Sequence, residues 1–210
     1  MQIEKVFRLI NKMKEVKNAP VFKKINIVDK NPFKIMVFAV LSPRTKDEIL
    51  IETCNELFKK ANSFEDILKI KKKELETILR KVGFYKRKTV LLKKLARAMV
   101  KLKKVPRSLE ELMKLPGIGR KVGKVILNEL FDLNVIPVDT HVHRISNRLG
   151  IVHTKNISET EKELEKIIPN NMKKIFNRYL VALGQTICKP KKPLCKICAL
   201  KNFCKFYRLQ

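Results

Sequence analysis

Acidic residues are scarce in this sequence of 210 residues. It contains 20 Asp and Glu against 48 Lys and Arg, which gives a net charge of +28 and a pI near 10.1. A surface field this positive favours a polyanion as the partner. Long apolar runs are also missing, since none reaches the roughly 18–20 residues of a membrane-spanning helix, and no signal-peptide pattern follows the first residues. We therefore expect an intracellular protein, cytoplasmic or associated with the nucleoid, that binds nucleic acid and no membrane.

The sequence shows no sustained alternation of apolar and polar residues, no repeat of fixed period and no low-complexity linker. Apolar residues recur instead at helical spacing, as in residues 32–41, 48–60 and 89–103. Asn31-Pro32 opens the first of these segments, Ser42-Pro43 closes it, and Ser63 begins a capping box. The pattern predicts an all-α protein of roughly nine or ten helices.

Basic residues concentrate in two segments that contain no acidic residue. Residues 86–108 hold ten Lys and Arg, and residues 188–210 hold seven. On a Lys-rich helix such charges usually form a solvated face. We expect this of Lys93, Lys94, Lys101 and Lys103. The lysines of the second segment stand between cysteines that would fix their positions, so the second segment is the better candidate for a binding surface.

A Leu-Pro-Gly-Ile-Gly sequence at residues 115–119 connects two helical segments. The first spans residues 109–114, and the second begins near Gly119 with Arg120 and Lys121 in its first turn. Residues 109–130 are therefore a helix–hairpin–helix. The two glycines permit the close approach by which backbone N–H groups and a helix N-terminus bind a phosphate. The basic residues that follow favour a DNA-binding hairpin over a plain turn between packed helices; such a hairpin grips the DNA backbone without reading its sequence.

Lys121 is the strongest candidate for a nucleophile. The positive end of the helix dipole and the neighbouring Arg120 and Lys124 all disfavour a further ammonium charge at this position. Only a neutral amine attacks carbon, so the placement suits Schiff-base chemistry at a sugar. A phosphate-binding lysine is the other interpretation, and the position in the sequence does not separate the two.

Asp139 is the candidate acidic partner of this lysine. It directly precedes residues 140–149, which are predicted to be helical, so it is also a natural helix N-cap, and the two roles are compatible. His141 and His143 follow it closely. No third metal ligand is placed near them, so packing or hydrogen bonding is the simpler interpretation of both.

Four cysteines lie in the last 23 residues, with six, two and five residues between them: Cys188, Cys195, Cys198 and Cys204. Thiolates bind zinc as well as iron–sulfur clusters, and the cysteines alone leave both possible. The run contains one Cys-x2-Cys pair, whereas a zinc ribbon usually has two, and an intracellular chain is not expected to pair them as disulfides. The fifth cysteine, Cys54, lies on the apolar stripe of its helix and is expected in the core.

The hairpin, the Val-Asp-Thr-His turn that follows it and the cysteine spacing together resemble the endonuclease III family, in the helix–hairpin–helix superfamily of DNA glycosylases. Segments 31–47 and 83–85 also fall where family segments are expected, so the resemblance covers nearly the whole chain. It implies an all-helical, bilobal fold with a cleft between the lobes. One lobe is a six-helix barrel at residues 24–132. The other combines residues 1–23 with 133–210 and holds a [4Fe–4S] cluster in its loop at 188–204.

The resemblance also implies roles for individual residues. Lys121 corresponds to the catalytic lysine and Asp139 to the catalytic aspartate of a bifunctional enzyme, which is a DNA glycosylase and an abasic-site lyase. The four C-terminal cysteines correspond to the ligands of the cluster, and the loop between the first two of them carries lysines aimed at phosphates. The predicted DNA contacts are Arg44, Phe84, Leu115, Gly117, Gly119, Arg120, Lys189, Lys191 and Lys192.

Two residues depart from the family pattern. Arg44 stands where the family commonly has Gln in the loop that fills the gap left by a flipped base, and Phe84 stands at the usual Leu wedge. Both side chains can stack in an opened duplex, but they contact the orphaned base differently, so we expect a different preference for the opposite base. The resemblance implies oxidised pyrimidines as the leading substrates, followed by mismatched uracil or thymine.

Two other functions remain as alternatives. A mismatch or adenine glycosylase that retains Lys121 would release undamaged, mispaired bases and would nick abasic DNA little. A non-catalytic DNA-binding module would use the hairpin only for grip and would release no base from any duplex. In every case the partner is double-stranded DNA, and we expect the protein to be a monomer.

Overall fold

Fourteen α-helical segments and three single 3-10 turns make up the regular structure of this computed structural model, which describes residues 3–23 and 29–209. No strand occurs in those residues, and none of their helices is long and apolar enough to cross a bilayer. The α-helices are α1 (Ile3–Lys12), α2 (Lys14–Lys17), α3 (Pro20–Lys23), α4 (Pro32–Leu41), α5 (Asp47–Lys60), α6 (Phe64–Lys69), α7 (Lys72–Leu79), α8 (Tyr85–Leu102), α9 (Leu109–Met113), α10 (Arg120–Phe131), α11 (Thr140–Leu149), α12 (Ile157–Ile167), α13 (Lys173–Thr186) and α14 (Lys205–Arg208).

The all-α prediction is confirmed, but nine or ten helices were too few. Ten of the described α-helices have six or more residues, and the other four have only four or five. A helix of about one turn is too short to show a periodic apolar pattern, so periodicity does not find it. The segment predicted at 89–103 is α8, which begins four residues earlier, at Tyr85. The apolar pattern missed this start because the first turn, Tyr-Lys-Arg-Lys, carries no recognisable apolar stripe.

Capping side chains begin two helices of the N-terminal half as predicted. The Asn31 side chain accepts a hydrogen bond from the Lys34 N–H at 3.3 Å, with Pro32 at the first position of α4. The Ser63 hydroxyl accepts one from the Asp66 N–H at 3.1 Å. Each bond satisfies an N–H group that has no acceptor within its own helix, and so it determines where the helix begins.

The chain divides into two units by its internal contacts. One unit consists of Met1–Lys23 and Asn134–Gln210 and is called here the cysteine unit. The other consists of Lys24–Leu133 and is called the hairpin unit. The hairpin unit contains α4–α10, whereas the cysteine unit contains α1–α3 and α11–α14.

Helix α4 lies at the centre of the hairpin unit. Eight of its ten residues are buried, and it packs against both α8 and α10. A helix that is apolar on all sides suits this position. Phe33 at its start makes edge-to-face contacts with Phe58 and Phe64, with ring centroids 5.8 and 5.1 Å apart. Because α4 contacts α10, the helix that follows the hairpin rests on the core of its unit.

Helix α13 has the same role in the cysteine unit. It packs against α1, α2 and α3 from the beginning of the chain and against α11 from its second half. Phe176 of α13 is fully buried and lies edge-to-face on Phe7 of α1, with ring centroids 5.8 Å apart. The first helices of the chain therefore complete the core that surrounds its last long helix.

Candidate functional site

The hairpin has the geometry expected of a phosphate-binding turn. Helix α9 ends at Met113, and α10 begins at Arg120. Between them Gly117 has a φ of +82°, a conformation that favours glycine, and a Cβ there would lie 3.1 Å from Cγ1 of Val40. Gly119 is different, since its φ is ordinary and nothing lies within 4 Å of the place that a Cβ would occupy. Gly117 therefore serves the turn itself, and Gly119 leaves the hairpin open to an approaching ligand.

The exposed part of the hairpin is cationic. Arg120 and Lys121 are both exposed and form the first turn of α10. N–H groups in that turn have no acceptor within the helix, and they carry the positive end of its dipole. Leu115, in contrast, is only 7 % exposed, so its side chain belongs to the core and it can offer a ligand only its backbone. An anion at Gly119 would meet N–H groups and two cationic side chains together.

Arg44 and Phe84 lie side by side in the hairpin unit. Both have left-handed backbones, with φ of +55° and +58°, and the Phe84 side chain is 59 % exposed. The guanidinium carbon of Arg44 lies 5.4 Å from the centroid of the Phe84 ring. The close approach of the segments that carry Arg44 and Phe84 depends on Gly83, where a Cβ would lie 2.2 Å from the carbonyl oxygen of Arg44. The structure thus brings together the two residues that the resemblance assigned to the gap in an opened duplex.

Lys88 of α8 lies buried beneath the loop that carries Arg44. Its ammonium donates hydrogen bonds to the carbonyl oxygens of Leu41 and Pro43, at 2.7 and 2.6 Å, and to the Thr45 hydroxyl at 2.7 Å. Burial lowers the pKa of Lys88 to about 8. All three acceptors come from residues 41–45, so one side chain binds the whole loop.

Asp139 caps α11 as predicted. One oxygen of its carboxylate accepts hydrogen bonds from the N–H groups of His141 and Val142, at 2.9 and 3.0 Å. The side chain is half-buried. Bonds to two N–H groups fix the orientation of the carboxylate. The group is therefore held in place, as an acidic catalytic partner must be.

The two histidines of α11 are engaged in packing and hydrogen bonding. The His141 ring lies against α13, where a Cβ on Gly184 would be 2.3 Å from its Nδ1. Arg144, one turn later, has an NH2 group 3.2 Å from that nitrogen and donates a 2.8 Å bond to the Cys188 carbonyl. The Nδ1 of His143 is 2.6 Å from the Thr160 hydroxyl. These contacts tie α11 to the helices around it and to the first cysteine.

All four C-terminal cysteines line one cavity of the cysteine unit, together with apolar side chains that include Ile145 and Leu183. They are free thiols and partly exposed. Among the described residues, no group of three or more His, Cys, Asp or Glu could hold a single metal ion. A four-iron cluster makes a different demand, because each cysteine binds its own iron and the thiols surround a shared space. The donor set and its shared cavity therefore fit such a cluster.

Arg148 ties the cysteine segment to α11. Its guanidinium donates to Cys188 Sγ at 3.4 Å and to the carbonyl oxygens of Lys189 and Pro190 at 2.8 and 2.9 Å. It also lies 4.3 Å from the centroid of the Phe206 ring. Hydrogen-bond donors beside the ligand residues are typical of metal centres in proteins.

Burial disfavours the ionised form of two thiols of the cavity. It raises the pKa of Cys198 to about 11 and is the largest cause of the raised pKa of Cys195. Thiols in this environment ionise only when positive charge lies next to them. Iron in the shared cavity would supply that charge.

The loop between Cys188 and Cys195 presents three exposed lysines: Lys189, Lys191 and Lys192. Arg148 binds the first two carbonyls of the loop, and the Leu194 N–H closes it by donating to the Ile187 carbonyl at 3.0 Å. A short loop held at both ends presents its cations in a defined arrangement, which suits contact with phosphates.

Two lysines of α8 differ from what the sequence indicated. Lys93 was expected on a solvated face, but this is wrong: it is half-buried and donates to the carbonyl oxygens of Leu68, at 2.9 Å, and Ile70. Lys94, Lys101 and Lys103 are exposed as expected. Lys88 had been assigned no role. It shares a helical stripe with Leu92 and Leu95, and a lysine in such a stripe is the signal that could have found it.

Comparison with known sequences points to one family. A family model described as an HhH-GPD superfamily base excision DNA repair protein matches residues 37–170. The chain is similar to endonuclease III of Thermotoga maritima, with 40 % identity over 185 residues that cover 87 % of both chains. It is also similar to endonuclease III of Bacillus subtilis, with 34 % identity over 182 residues that cover 85 % of this chain and 83 % of the other.

Comparison with solved structures gives the same result. The fold is similar to that of endonuclease III trapped in a covalent intermediate with DNA, an estranged-adenine complex, with a TM-score of 0.80 and 32 % identity. That match covers 90 % of this chain and 94 % of the other. A thermostable thymine-DNA glycosylase matches with a TM-score of 0.77 over 94 % of this chain and 98 % of its own. Because the identity is only 24 %, this match supports the fold and not the function.

Proposed function

Since the chain belongs to the HhH-GPD superfamily of base excision DNA repair proteins, we propose that it removes a damaged base from duplex DNA and then cleaves the abasic strand through Lys121. It is a DNA glycosylase of base excision repair with abasic-site lyase activity, and its partner is damaged duplex DNA. Because its substrate is genomic DNA, we propose that the enzyme acts inside the cell, in the compartment that holds the genome. Oxidised pyrimidines are the proposed substrates, as the family resemblance implied.

The observation that carries the lyase proposal is the position of Lys121. It is exposed in the first turn of α10, directly after a hairpin that is open at Gly119. A hairpin that binds the backbone of a damaged strand brings this amine to the sugars of the same strand. The family resemblance implies that relatives which excise adenine or mismatched thymine usually lack this lysine, so its presence favours the bifunctional enzyme.

The proposed reaction uses two side chains. The base to be removed is flipped out of the stack. The neutral amine of Lys121 attacks C1′, and the base leaves with the bonding electron pair and takes up a proton. Asp139 stabilises the positive charge that develops at the sugar. The nitrogen then gives up a proton, and its lone pair expels O4′, which is protonated as the sugar ring opens to an imine. This imine acidifies the C2′ proton, whose loss expels the 3′ phosphate by β-elimination, and water then hydrolyses the imine and releases the lysine.

We further propose that the hairpin unit is the barrel lobe of the family and that the cysteine unit carries a [4Fe–4S] cluster on Cys188, Cys195, Cys198 and Cys204. The shared cavity and the Arg148 donor support the assignment. A bound cluster would supply structural cross-linking, and the chain's own residues would use it to keep the lysine loop in place. Purified protein should be brown and contain iron. A colourless protein that contains zinc would contradict the cluster.

The lyase proposal is tested by borohydride trapping on a duplex with one thymine glycol. Trapping should yield a covalent protein–DNA adduct with the unaltered chain and none with Lys121→Ala. Lys114→Ala is the matched control, because it removes an exposed lysine from the other side of the same hairpin. A parallel duplex with a uracil mismatch ranks the two lesions.

Two results would contradict the proposal. Base release without an adduct would show a monofunctional glycosylase, so that Lys121 would have another role. If no base is released from either duplex and Lys121→Ala only weakens DNA binding, the chain is a binding module.

A further inference from the structure

Lys88 stands out among the buried polar groups of the hairpin unit. Lys88 is only 5 % exposed. The three protons of its ammonium group match three acceptor oxygens, each within 2.7 Å of Nζ. The Thr45 hydroxyl donates its own proton to the Leu41 carbonyl at 3.1 Å, which leaves its oxygen free to accept from Lys88. Every donor and acceptor in this small network therefore has a direction.

The acceptors of Lys88 surround Arg44 in the sequence. Pro43 precedes Arg44 and Thr45 follows it, while Leu41 ends α4. Arg44 itself has a φ of +55°, a backbone conformation that residues with a side chain avoid. Such a conformation persists only where the surrounding contacts enforce it. Lys88 supplies contacts on both sides, and Gly83 lets the neighbouring turn close against the Arg44 carbonyl.

We propose that Lys88 is a positioning residue that holds Arg44 in its left-handed, exposed conformation next to Phe84, ready to enter the gap left by a flipped base. The inference rests on the proposed function, which assigns Arg44 and Phe84 to that gap. Without the three hydrogen bonds, residues 42–45 can relax to a more common backbone, and the guanidinium moves away from the ring. DNA binding must then order the loop again, which weakens binding.

Loss of the Lys88 hydrogen bonds should affect the binding only of DNA in which a base pair has been opened. Lys88 is buried, so it contributes to DNA recognition only through the loop that it holds. A probe of the orphaned base is therefore the appropriate measurement. The substrate is a duplex with an uncleavable tetrahydrofuran abasic site opposite 2-aminopurine, whose fluorescence reports stacking around that base.

The test compares Lys88→Met with Lys93→Met. Methionine keeps much of the length of the lysine chain but has no N–H donor. Lys93 lies on the same helix and also binds two backbone carbonyls, but at the end of α6 and away from Arg44. We expect Lys88→Met to weaken binding to the tetrahydrofuran duplex on the order of tenfold, or about 1.4 kcal/mol, and to change the fluorescence of the bound probe. Lys93→Met should bind as the unaltered chain does.

A double variant separates positioning from general stability. If Lys88 acts through Arg44, Lys88→Met should have little further effect on affinity or fluorescence once Arg44→Ala is present. Equal losses with and without Arg44 would overturn the proposal, as would equal losses from Lys88→Met and Lys93→Met.

A second pair of variants, with smaller changes, tests the same network if Lys88→Met does not fold. Thr45→Val removes one acceptor of Lys88 and keeps the volume, whereas Thr45→Ser retains the hydroxyl. Thr45→Val should reproduce part of the Lys88→Met change, and Thr45→Ser should restore it. If the two variants bind alike, the network does not position Arg44.

Borohydride trapping on an ordinary abasic site, measured for each variant, keeps this inference separate from the proposed function. Adduct formation with an unchanged fluorescence response would overturn only the role of Lys88. Absence of an adduct with the unaltered chain would overturn the lyase proposal instead.

Discussion

The Arg44 guanidinium lies over the ring of Phe84, 5.4 Å from its centroid, although forty residues separate them in the sequence. The Phe84 side chain is 59 % exposed, and a cation–π contact at such an exposed site contributes only about 0.5–1 kcal/mol. The pair therefore does little for stability. It instead presents an aromatic face and a set of N–H donors at one place on the surface, which suits the role proposed for both residues in an opened duplex.

The chemistry of Arg44 predicts a preference for the base opposite the lesion. A guanidinium only donates hydrogen bonds, and it pairs in a bidentate manner with O6 and N7 of guanine, whereas a glutamine amide pairs with N6 and N7 of adenine. We expect Arg44→Gln to raise excision opposite adenine relative to guanine, by about 1 kcal/mol of discrimination. Single-turnover base release from duplexes that differ only in the opposite base would measure this. An unchanged ranking would show that Arg44 does not contact the orphaned base.

Alanine should have different effects at two glycines: a loss of stability at Gly83 and a loss of DNA affinity at Gly119. At Gly83 the new Cβ would lie 2.2 Å from the Arg44 carbonyl oxygen, so we expect Gly83→Ala to lower the free energy of unfolding by about 1–3 kcal/mol. At Gly119 nothing lies within 4 Å, so stability should change little. DNA affinity should fall nevertheless, because the methyl group occupies the space that the phosphate backbone approaches.

Urea unfolding and DNA titration of both variants provide the measurement. Gly83→Ala is the control for stability, since both glycines lie in turns that precede a helix, but not for DNA affinity, because Gly83 packs against the Arg44 carbonyl. A Gly119→Ala variant that binds DNA as tightly as the unaltered chain would exclude close approach of a phosphate at that position.

The lysines of the cysteine loop should appear in the salt dependence of DNA binding. Each phosphate contact contributes about 0.9 to the slope of log K against log salt concentration. Replacing Lys189, Lys191 and Lys192 with alanine should therefore reduce the magnitude of the slope by up to about 3. Replacing the exposed Lys71, Lys72 and Lys73 removes the same charge from residues not assigned to DNA. Equal slopes in the two triple variants would remove the loop from the interface.

Cys54 should behave differently from the other cysteines. It is fully buried, and burial raises its pKa from 9.0 to about 12. Because the folded pKa is the higher one, the thiol's contribution to stability is complete below pH 9 and is lost as the pH rises towards 12. At pH 8 the thiol is protonated, so a thiol reagent should leave Cys54 unmodified in the native protein and modify it in urea. Peptide mapping of the labelled protein would measure this, and rapid native labelling at Cys54 would contradict its burial.

The sequence by itself determined the features that depend on neighbours along the chain. The hairpin glycines, the Asp139 cap and the four closely spaced cysteines are local patterns, because a turn, a helix end or a short ligand loop is built from adjacent residues. These patterns were enough to predict an all-α fold, and the structure confirms it. The roles of Lys121 and of the four cysteines remain predictions that the experiments above address, and the catalytic role of Asp139 remains a prediction.

Only the tertiary structure decided which residues distant in the sequence act together. Lys88 lies forty-seven residues from Leu41, and Gly83 lies thirty-nine from Arg44, so nothing in the local sequence of either residue announces its partner. The packing of α8 against α4 brings them together. Burying a lysine in an apolar stripe is unfavourable unless carbonyl oxygens from another segment accept its hydrogen bonds, and those bonds form only in the folded chain.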